Sequence, residues 1–303
     1  MRIAVVGAGA LGLYYGAMLQ RGGNDVRFLL RRDYEAITAR GLTVYSCGGD
    51  FHLESVAGFR SPAEIGIVDL VVVGLKAFAN DRFAELIGPL VGGGTQVLTL
   101  QNGLGNEEAL AALFGPERVL GGVAFLCSNR GEPGVVHHLG AGRIQVGTFL
   151  PERQAAAERV AALFSNAGVE CVAVPDLRRA RWEKLVWNIP FNGSCALTLQ
   201  PVDALLANQR SRPIIREMMV EVITAANAQP LLSPIPETFA DQMISFSDGM
   251  GPYRPSMLID RQEGRPLEMS AIFYRPLDAG QAAGVPLPRV ATLAALLDCA
   301  VTG

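Results

Sequence analysis

Lysine is nearly missing from this chain: of its 26 basic residues 24 are arginine, and the other two are Lys76 and Lys184. A compact ammonium with an adjustable pKa does what a guanidinium cannot. A chain that otherwise uses arginine therefore marks these two positions as places where such a group is required. Histidine is sparse too, at 52, 137 and 138. The adjacent pair would face opposite sides of a strand, which sets aside a shared metal ligand set and a histidine-centred mechanism; no metal is expected. The cysteines at 47, 127, 171, 195 and 299 are odd in number, scattered and without a CxxC pair. That excludes a disulfide framework or structural zinc and suits a reducing cytoplasm. No apolar run approaches the ~18 residues a bilayer span needs, so no membrane partner is expected. Net charge is −3 and no basic run extends beyond Arg178–Arg181, which gives nucleic-acid phosphates little to grip.

What is present is apolar: 50% of 303 residues are hydrophobic and 18% charged, enough for a well-buried core and two domains. Ile3–Val6 reads as a strand ending in glycines, Leu11–Gln20 as a helix, and Asp25–Leu30 as a second strand, a βαβ opening. Unbroken apolar runs at 70–73, 96–100, 119–126 and 169–174 read as buried parallel strands. Helical patterns at 83–90, 107–114 and 152–167 lie between or beside them. Segments 42–57 and 135–148 alternate and contain Gly48-Gly49 and Gly140-Ala141-Gly142, which predicts antiparallel hairpins. After about Pro175 the periodicity turns helical, over 177–199, 212–228, 236–247, 267–283 and 288–301. The expected fold is an α/β Rossmann-type doubly wound sheet over 1–175 and an all-α domain over 176–303, with the catalytic cleft between them.

Gly7-Ala8-Gly9-Ala10-Leu11-Gly12 satisfies G-x-G-x-x-G directly after a strand and at the head of a helix. The first glycine makes the turn, the second lets a pyrophosphate approach the backbone, and the third lets helix and strand pack closely. Helix N–H groups and the positive end of the helix dipole would receive the phosphates. At the end of the second strand stand Arg31 and Arg32, followed by Asp33. A guanidinium there suits a 2′-phosphate, so NADP is the expected cofactor; the alternative is NAD served by Asp33. Lys76 and Asn102 each follow a buried strand at the carboxyl edge where such sheets bind ligands, and both are read as active-site groups.

In Arg181–Asn192, residues Lys184, Asn188 and Asn192 recur every four and fall within an arc of about 80° on an otherwise apolar helix. Such a stripe faces water or a ligand, and desolvation would bring the lysine toward the pKa range useful for general acid work. Pro190 lies inside the stripe and predicts a kink that re-aims Asn192.

These motifs, with Gly74-Leu75-Lys76, Gln101–Gly105, Arg181–Asn188 and Ser256–Glu268, resemble the ketopantoate reductase (2-dehydropantoate 2-reductase) family, nearly end to end. The resemblance implies that Lys184 donates a proton to the carbonyl oxygen while Glu268 positions or polarises the site. It also implies that Asn188, Asn192 and Ser256 hold the substrate, with Asn102 beside substrate and cofactor. Lys76 would stand near the nicotinamide, and Arg31 on the 2′-phosphate. One departure follows Glu268, where the family pattern Ile-Asp-Tyr-Leu-Asn-Gly becomes Met269-Ser270-Ala271-Ile272-Phe273-Tyr274. The leading expectation is NADPH-dependent reduction of ketopantoate to pantoate. The alternatives are reduction of another 2-oxo acid or related carbonyl compound, and a non-catalytic NADP-binding sensor. The expected partners are a small 2-oxo acid and a second copy of the chain, paired through the helical domain.

Overall fold

Residues Arg2–Val6 form β1, whose last four side chains are buried. In the computed structural model, which describes Met1–Thr302, the other strands are β2 (Asp25–Leu29), β3 (Leu42–Ser46), β4 (Phe51–Leu53), β5 (Ala57–Phe59), β6 (Leu70–Val73), β7 (Gln96–Thr99), β8 (Val119–Arg130), β9 (Val135–Thr148) and β10 (Cys171–Ala173). The chain divides into two units, Met1–Asn102 with Asn106–Leu177, and Gly103–Gly105 with the chain from Arg178 onward.

In the first unit the strands run in the order β4-β3-β9-β8-β7-β6-β1-β2-β5, with β10 beside β9. The six from β5 to β8 are all parallel, and the direction of winding reverses between β1 and β6. That is the doubly wound order, with its ligand crevice at the carboxyl ends of the strands flanking the reversal. Its helices are α1 (Ala10–Arg21), α2 (Tyr34–Arg40), α3 (Pro62–Ile65), α4 (Phe83–Ile87), α5 (Asn106–Phe114) and α6 (Gln154–Asn166). Tyr15 on α1 and Phe164 on α6 meet edge to face at 6.0 Å, both fully buried.

One expectation needs correction here. The glycines at 140–142 do not turn the chain: they lie inside β9, a single strand of 14 residues. Opposite them the β8–β9 register shifts between Phe125 and Leu126 and between Cys127 and Ser128, and Ala141 and Gly142 take φ of 56° and 122°. Positive φ in glycine serves a bulge as well as a turn, and β9 continues through it because β3 and β10 also pair with it in parallel. The real hairpin joins β8 to β9. Segment 42–57 does pair β3 with β4 antiparallel, while β5 leaves for the opposite edge beside β2.

The second unit is helical, with α7 (Leu177–Thr198), α8 (Val202–Ala207), α9 (Ser211–Asn227), α10 (Thr238–Asp248), α11 (Ser256–Gln262), α12 (Arg275–Ala282) and α13 (Pro288–Thr302). Trp182, Phe191, Met219, Phe273 and Leu297 are among its buried core. The helix expected over 267–283 begins later and changes winding. Leu267 and Glu268 precede it, Ser270–Tyr274 is a π-helical turn, and α12 follows. Pro276, which has no N–H to donate, sits just past the change. Pro190 does not interrupt α7, which stays helical to Thr198. The far end of α7 is held by Arg261, whose guanidinium bonds the carbonyls of Ala196 and of Leu197, the latter at 2.8 Å. This satisfies acceptors that a helix terminus leaves open.

Helix α1 approaches the sheet at Gly16, where an added Cβ would meet Phe28 Cε1 at 2.4 Å and Val5 Cγ2 at 3.0 Å. Phe28 is fully buried and has nowhere to move. Gly16→Ala improves helix propensity by about 1 kcal/mol, yet overpacking costs about 1–3 kcal/mol. The expected outcome is a net loss of stability with lowered urea midpoint; an unchanged or raised midpoint would contradict this packing.

Candidate active site

The turn after β1 is built from close backbone approaches. Gly7 has φ of 100°, and a Cβ there would lie 2.4 Å from Gly74 C, at the end of β6. A Cβ on Gly12 would fall 2.2 Å from the Gly7 carbonyl oxygen, so helix and strand pack through these two glycines. At Gly9, by contrast, a Cβ would meet nothing within 4 Å. Gly9 is also the N-cap of α1 and makes no side-chain cap, so the first N–H groups of the helix are left to a ligand. Open space over an uncapped helix start, between two glycines that have none, fits a dinucleotide pyrophosphate. Ala8, Ala10 and Leu11 are partly accessible around it.

At the end of β2 the choice between ribose partners becomes physical. Asp33 is 3% exposed and engaged inside the first unit, by an ion pair with Arg130 and by the Gly134 N–H at 3.3 Å. A carboxylate buried this deeply on an internal arginine presents little surface to a ribose hydroxyl. Arg31 is exposed at the strand end, as a 2′-phosphate partner must be.

Lys76 and Asn102 stand after β6 and β7, both partly buried. Their loops are tied by amides that sequence reading missed. Asn80 Nδ2 donates to Asn106 Oδ1 at 2.8 Å, Gln101 Nε2 to Asn80 Oδ1 at 2.8 Å, and Thr99 Oγ1 to Gln101 Oε1 at 2.9 Å. Asn106 Nδ2 then reaches the Asn102 carbonyl at 2.9 Å. Gln101 and Asn106 are buried, so breaking this chain leaves unsatisfied groups in the interior. The one signal in the sequence was the clustering of amides around Asn-Gly.

In the helical unit the stripe on α7 goes from half-buried Lys184 to buried amides: Asn188 is 6% and Asn192 3% exposed, between Leu185, Val186, Ile189 and Phe191. Asn192 follows Pro190 within the same helix. Its Oδ1 accepts the Met257 N–H at 3.0 Å and the Ser256 hydroxyl at 3.4 Å, joining α7 to the start of α11. Lys184 is pushed down to about 7, chiefly by loss of hydration, then by the like charge of Arg181, while the Glu268 carboxylate pulls the other way. Glu268, 3% exposed, thus acts on Lys184 from the segment before the π turn. The aromatic pair in the departing segment splits, one ring packed and the other exposed. Phe273 is fully buried, with its ring tip 2.8 Å from where a Cβ on Gly193 would stand, and the Tyr274 hydroxyl donates to the Asp298 carboxylate. Among the described residues no group of three or more His, Cys, Asp or Glu is placed to hold a metal.

A glycine turn open to a dinucleotide pyrophosphate, with an exposed arginine at the end of the next strand, goes with a definite class, the NADP-dependent oxidoreductases acting on a CH–OH/C=O pair. Two family profiles match, "Ketopantoate reductase PanE/ApbA" over residues 3–151 and "Ketopantoate reductase PanE/ApbA C terminal" over 176–300. The chain belongs to the ketopantoate reductase family. It is 40% identical to the 2-dehydropantoate 2-reductase of Nostoc sp. strain PCC 7120, over 95% of this chain and 92% of that one. The crystal structure of 2-dehydropantoate 2-reductase from Geobacter metallireducens GS-15 is similar at TM-score 0.98 and 64% identity, covering 99% of this chain and 100% of that one. The enzyme of the same name from Methylococcus capsulatus superposes at TM-score 0.90 with 30% identity, over 99% of this chain and 96% of that one.

The glycines separate packing from binding. Gly9 has φ of −79°, which alanine adopts freely, so Gly9→Ala is expected to keep its denaturation midpoint while weakening NADPH binding at least about tenfold, ~1.4 kcal/mol. Gly12→Ala drives its Cβ into backbone and is expected to lower the midpoint itself. Fluorescence titration and urea unfolding check the pair; equal NADPH affinity in Gly9→Ala and wild type would remove the phosphate from this turn.

Proposed function

We propose that the protein reduces ketopantoate to pantoate with NADPH. The observation that carries this reading is Lys184, an amine brought to about 7 within a buried asparagine stripe and beside a buried glutamate. When bound, NADPH supplies the hydride that the ketone carbon accepts. Gly7, Gly9 and Gly12 with the start of α1 would take its pyrophosphate, Arg31 its 2′-phosphate, and Lys76 and Asn102 would border the nicotinamide.

The residues of the helical unit do the rest. Asn188, Asn192 and Ser256 hold the carboxylate and hydroxyl of the 2-oxo acid by directional bonds. As the carbonyl oxygen gains negative charge, the Lys184 ammonium gives it a proton and becomes a neutral amine. Glu268 keeps enough positive potential loss in check that a useful fraction of the lysine stays protonated near neutrality. An acid with a pKa close to the working pH combines driving force with population. The same reading takes the helical unit, which leaves Ile214, Phe246 and Leu296 exposed, as what pairs two copies, and the cytoplasm as the compartment in which five free cysteines stay reduced.

Optical monitoring of NADPH oxidation over a panel of 2-oxo acids, with and without a 4-hydroxyl, tests the reading. Ketopantoate is expected to give the highest kcat/KM, and Lys184→Ala to lose about 10²–10⁴ in kcat. Preference for another acid would transfer the same machinery to that substrate; tight NADPH binding with no turnover on any would make the chain a sensor.

The pH dependence carries a sign. The donor must be protonated, so kcat for reduction is expected to fall as pH rises through about 7, where Lys184 titrates. Glu268→Gln removes the charge that favours the ammonium and is expected to move this limb to lower pH, by about one unit. A limb that stays in place would separate Glu268 from Lys184.

A further inference from the structure

Arg181 is 4% exposed, a depth at which arginine is rarely found. It precedes Lys184 by three residues on α7, which makes the two side chains neighbours on the helix surface. At ~100° per residue it falls inside the arc bounded by Lys184 and Asn192, so the stripe contains two cations, Arg181 buried and Lys184 half-buried. The other arginines of this run are turned elsewhere. Arg178 donates to the Pro230 carbonyl at 2.9 Å, and Arg179 to the Ser233 hydroxyl at 3.0 Å while pairing with Glu183 at 3.0 Å.

We infer that Arg181 is a positioning residue for the reaction: its buried guanidinium, one turn before Lys184 in the middle of the polar stripe, presses on the lysine's charge so that the proton leaves readily. This rests on reading Lys184 as the donor. The charged groups acting on Lys184 come from two elements, Arg181 from its own helix and Glu268 from the segment before the π turn, and they act in opposite directions. Glu183, next in the chain, lies on the other face with Arg179. A like charge held close in a desolvated site disfavours the ammonium and favours the neutral amine. Arg181 and Glu268 are therefore opposed settings of one group: the glutamate keeps the acid populated, and the arginine keeps it strong. Arginine suits the task because it stays charged under any condition in which lysine titrates.

The scarcity of lysine makes the test direct. With Lys76 and Lys184 the only lysines in the chain, the pH dependence of Lys184 labelling by an amine-reactive reagent can be followed by peptide mass spectrometry on the cofactor-free protein, apart from turnover. The wild-type midpoint is expected near 7. Arg181→Gln, or Arg181→Met if the glutamine variant does not fold, is expected to raise that midpoint by about one unit and to carry the basic limb of kcat upward with it, with lower kcat at pH 6. Arg181→Lys, which restores a cation, is expected to bring both back toward wild type. A wild-type midpoint at the ordinary lysine value, or a variant that loses kcat equally at every pH with neither midpoint moved, would overturn the inference. If labelling shifts and the kcat limb does not, the coupling between the two cations stands, and it is the assignment of Lys184 as proton donor that falls.

Discussion

Drawing one ammonium out of water is the interaction around which the helical unit is arranged. An isolated charge in an apolar interior costs several kcal/mol, and it is relieved by pairing, by hydrogen bonds or by surrender of the proton. All three routes are built around Lys184. Glu268 offers an opposite charge, the stripe of Asn188 and Asn192 offers dipoles, and Arg181 makes the neutral form accessible. The long apolar helix exists to hold this group in place. Leu185, Val186, Ile189 and Phe191 anchor α7 in the core, and Arg261 fixes its far end, so the polar face has one orientation.

The first unit obeys a different constraint, the closeness of backbone to backbone. Where β1, β6 and α1 converge, Gly7 and Gly12 remove every side-chain atom that would hold them apart, and Gly9 leaves a surface that no side chain covers. The amide chain from Thr99 to Asn102 then keeps the neighbouring strand ends in register. Charge is placed with the same economy: Arg130 occupies Asp33 and leaves Arg31 uncontested at the strand end.

Much of this was legible in the sequence wherever the signal was local and periodic. The βαβ opening, the buried parallel strands at 70–73 and 96–99 and the polar stripe of α7 depend on spacings within one element, and the structure reproduces them, whereas the run at 169–174 yields only the short edge strand β10 with Val172 50% exposed. Signals shared by two structures were misread: Ala141 and Gly142 serve a bulge with the same positive φ that a turn requires, so composition could not choose between them. Pro190 lies within α7 without ending it. The π turn at 270–274 depends on how Phe273 seats against Gly193, 80 residues earlier. Pairings over long separations, such as Asp33 with Arg130 or Gln101 with Asn80, leave no trace that a single sequence can show. Glu268 and Ser256 entered through family resemblance alone, and the structure supplies the physical reason for their company, one acting on Lys184 and the other meeting Asn192.

The depressed lysine also reaches beyond chemistry into folding. In the native state Lys184 releases its proton near 7, whereas in an unfolded chain it would keep it to about 10.5. Between those values the unfolded chain binds the extra proton, so this residue's contribution to stability grows as the solution becomes more alkaline. On the proposed role of Lys184 as proton donor, its acid form is drained over the same window. That proposed role sets durability against turnover across mildly basic buffers: a medium that favours the folded protein at rest is one that would empty the donor of its proton.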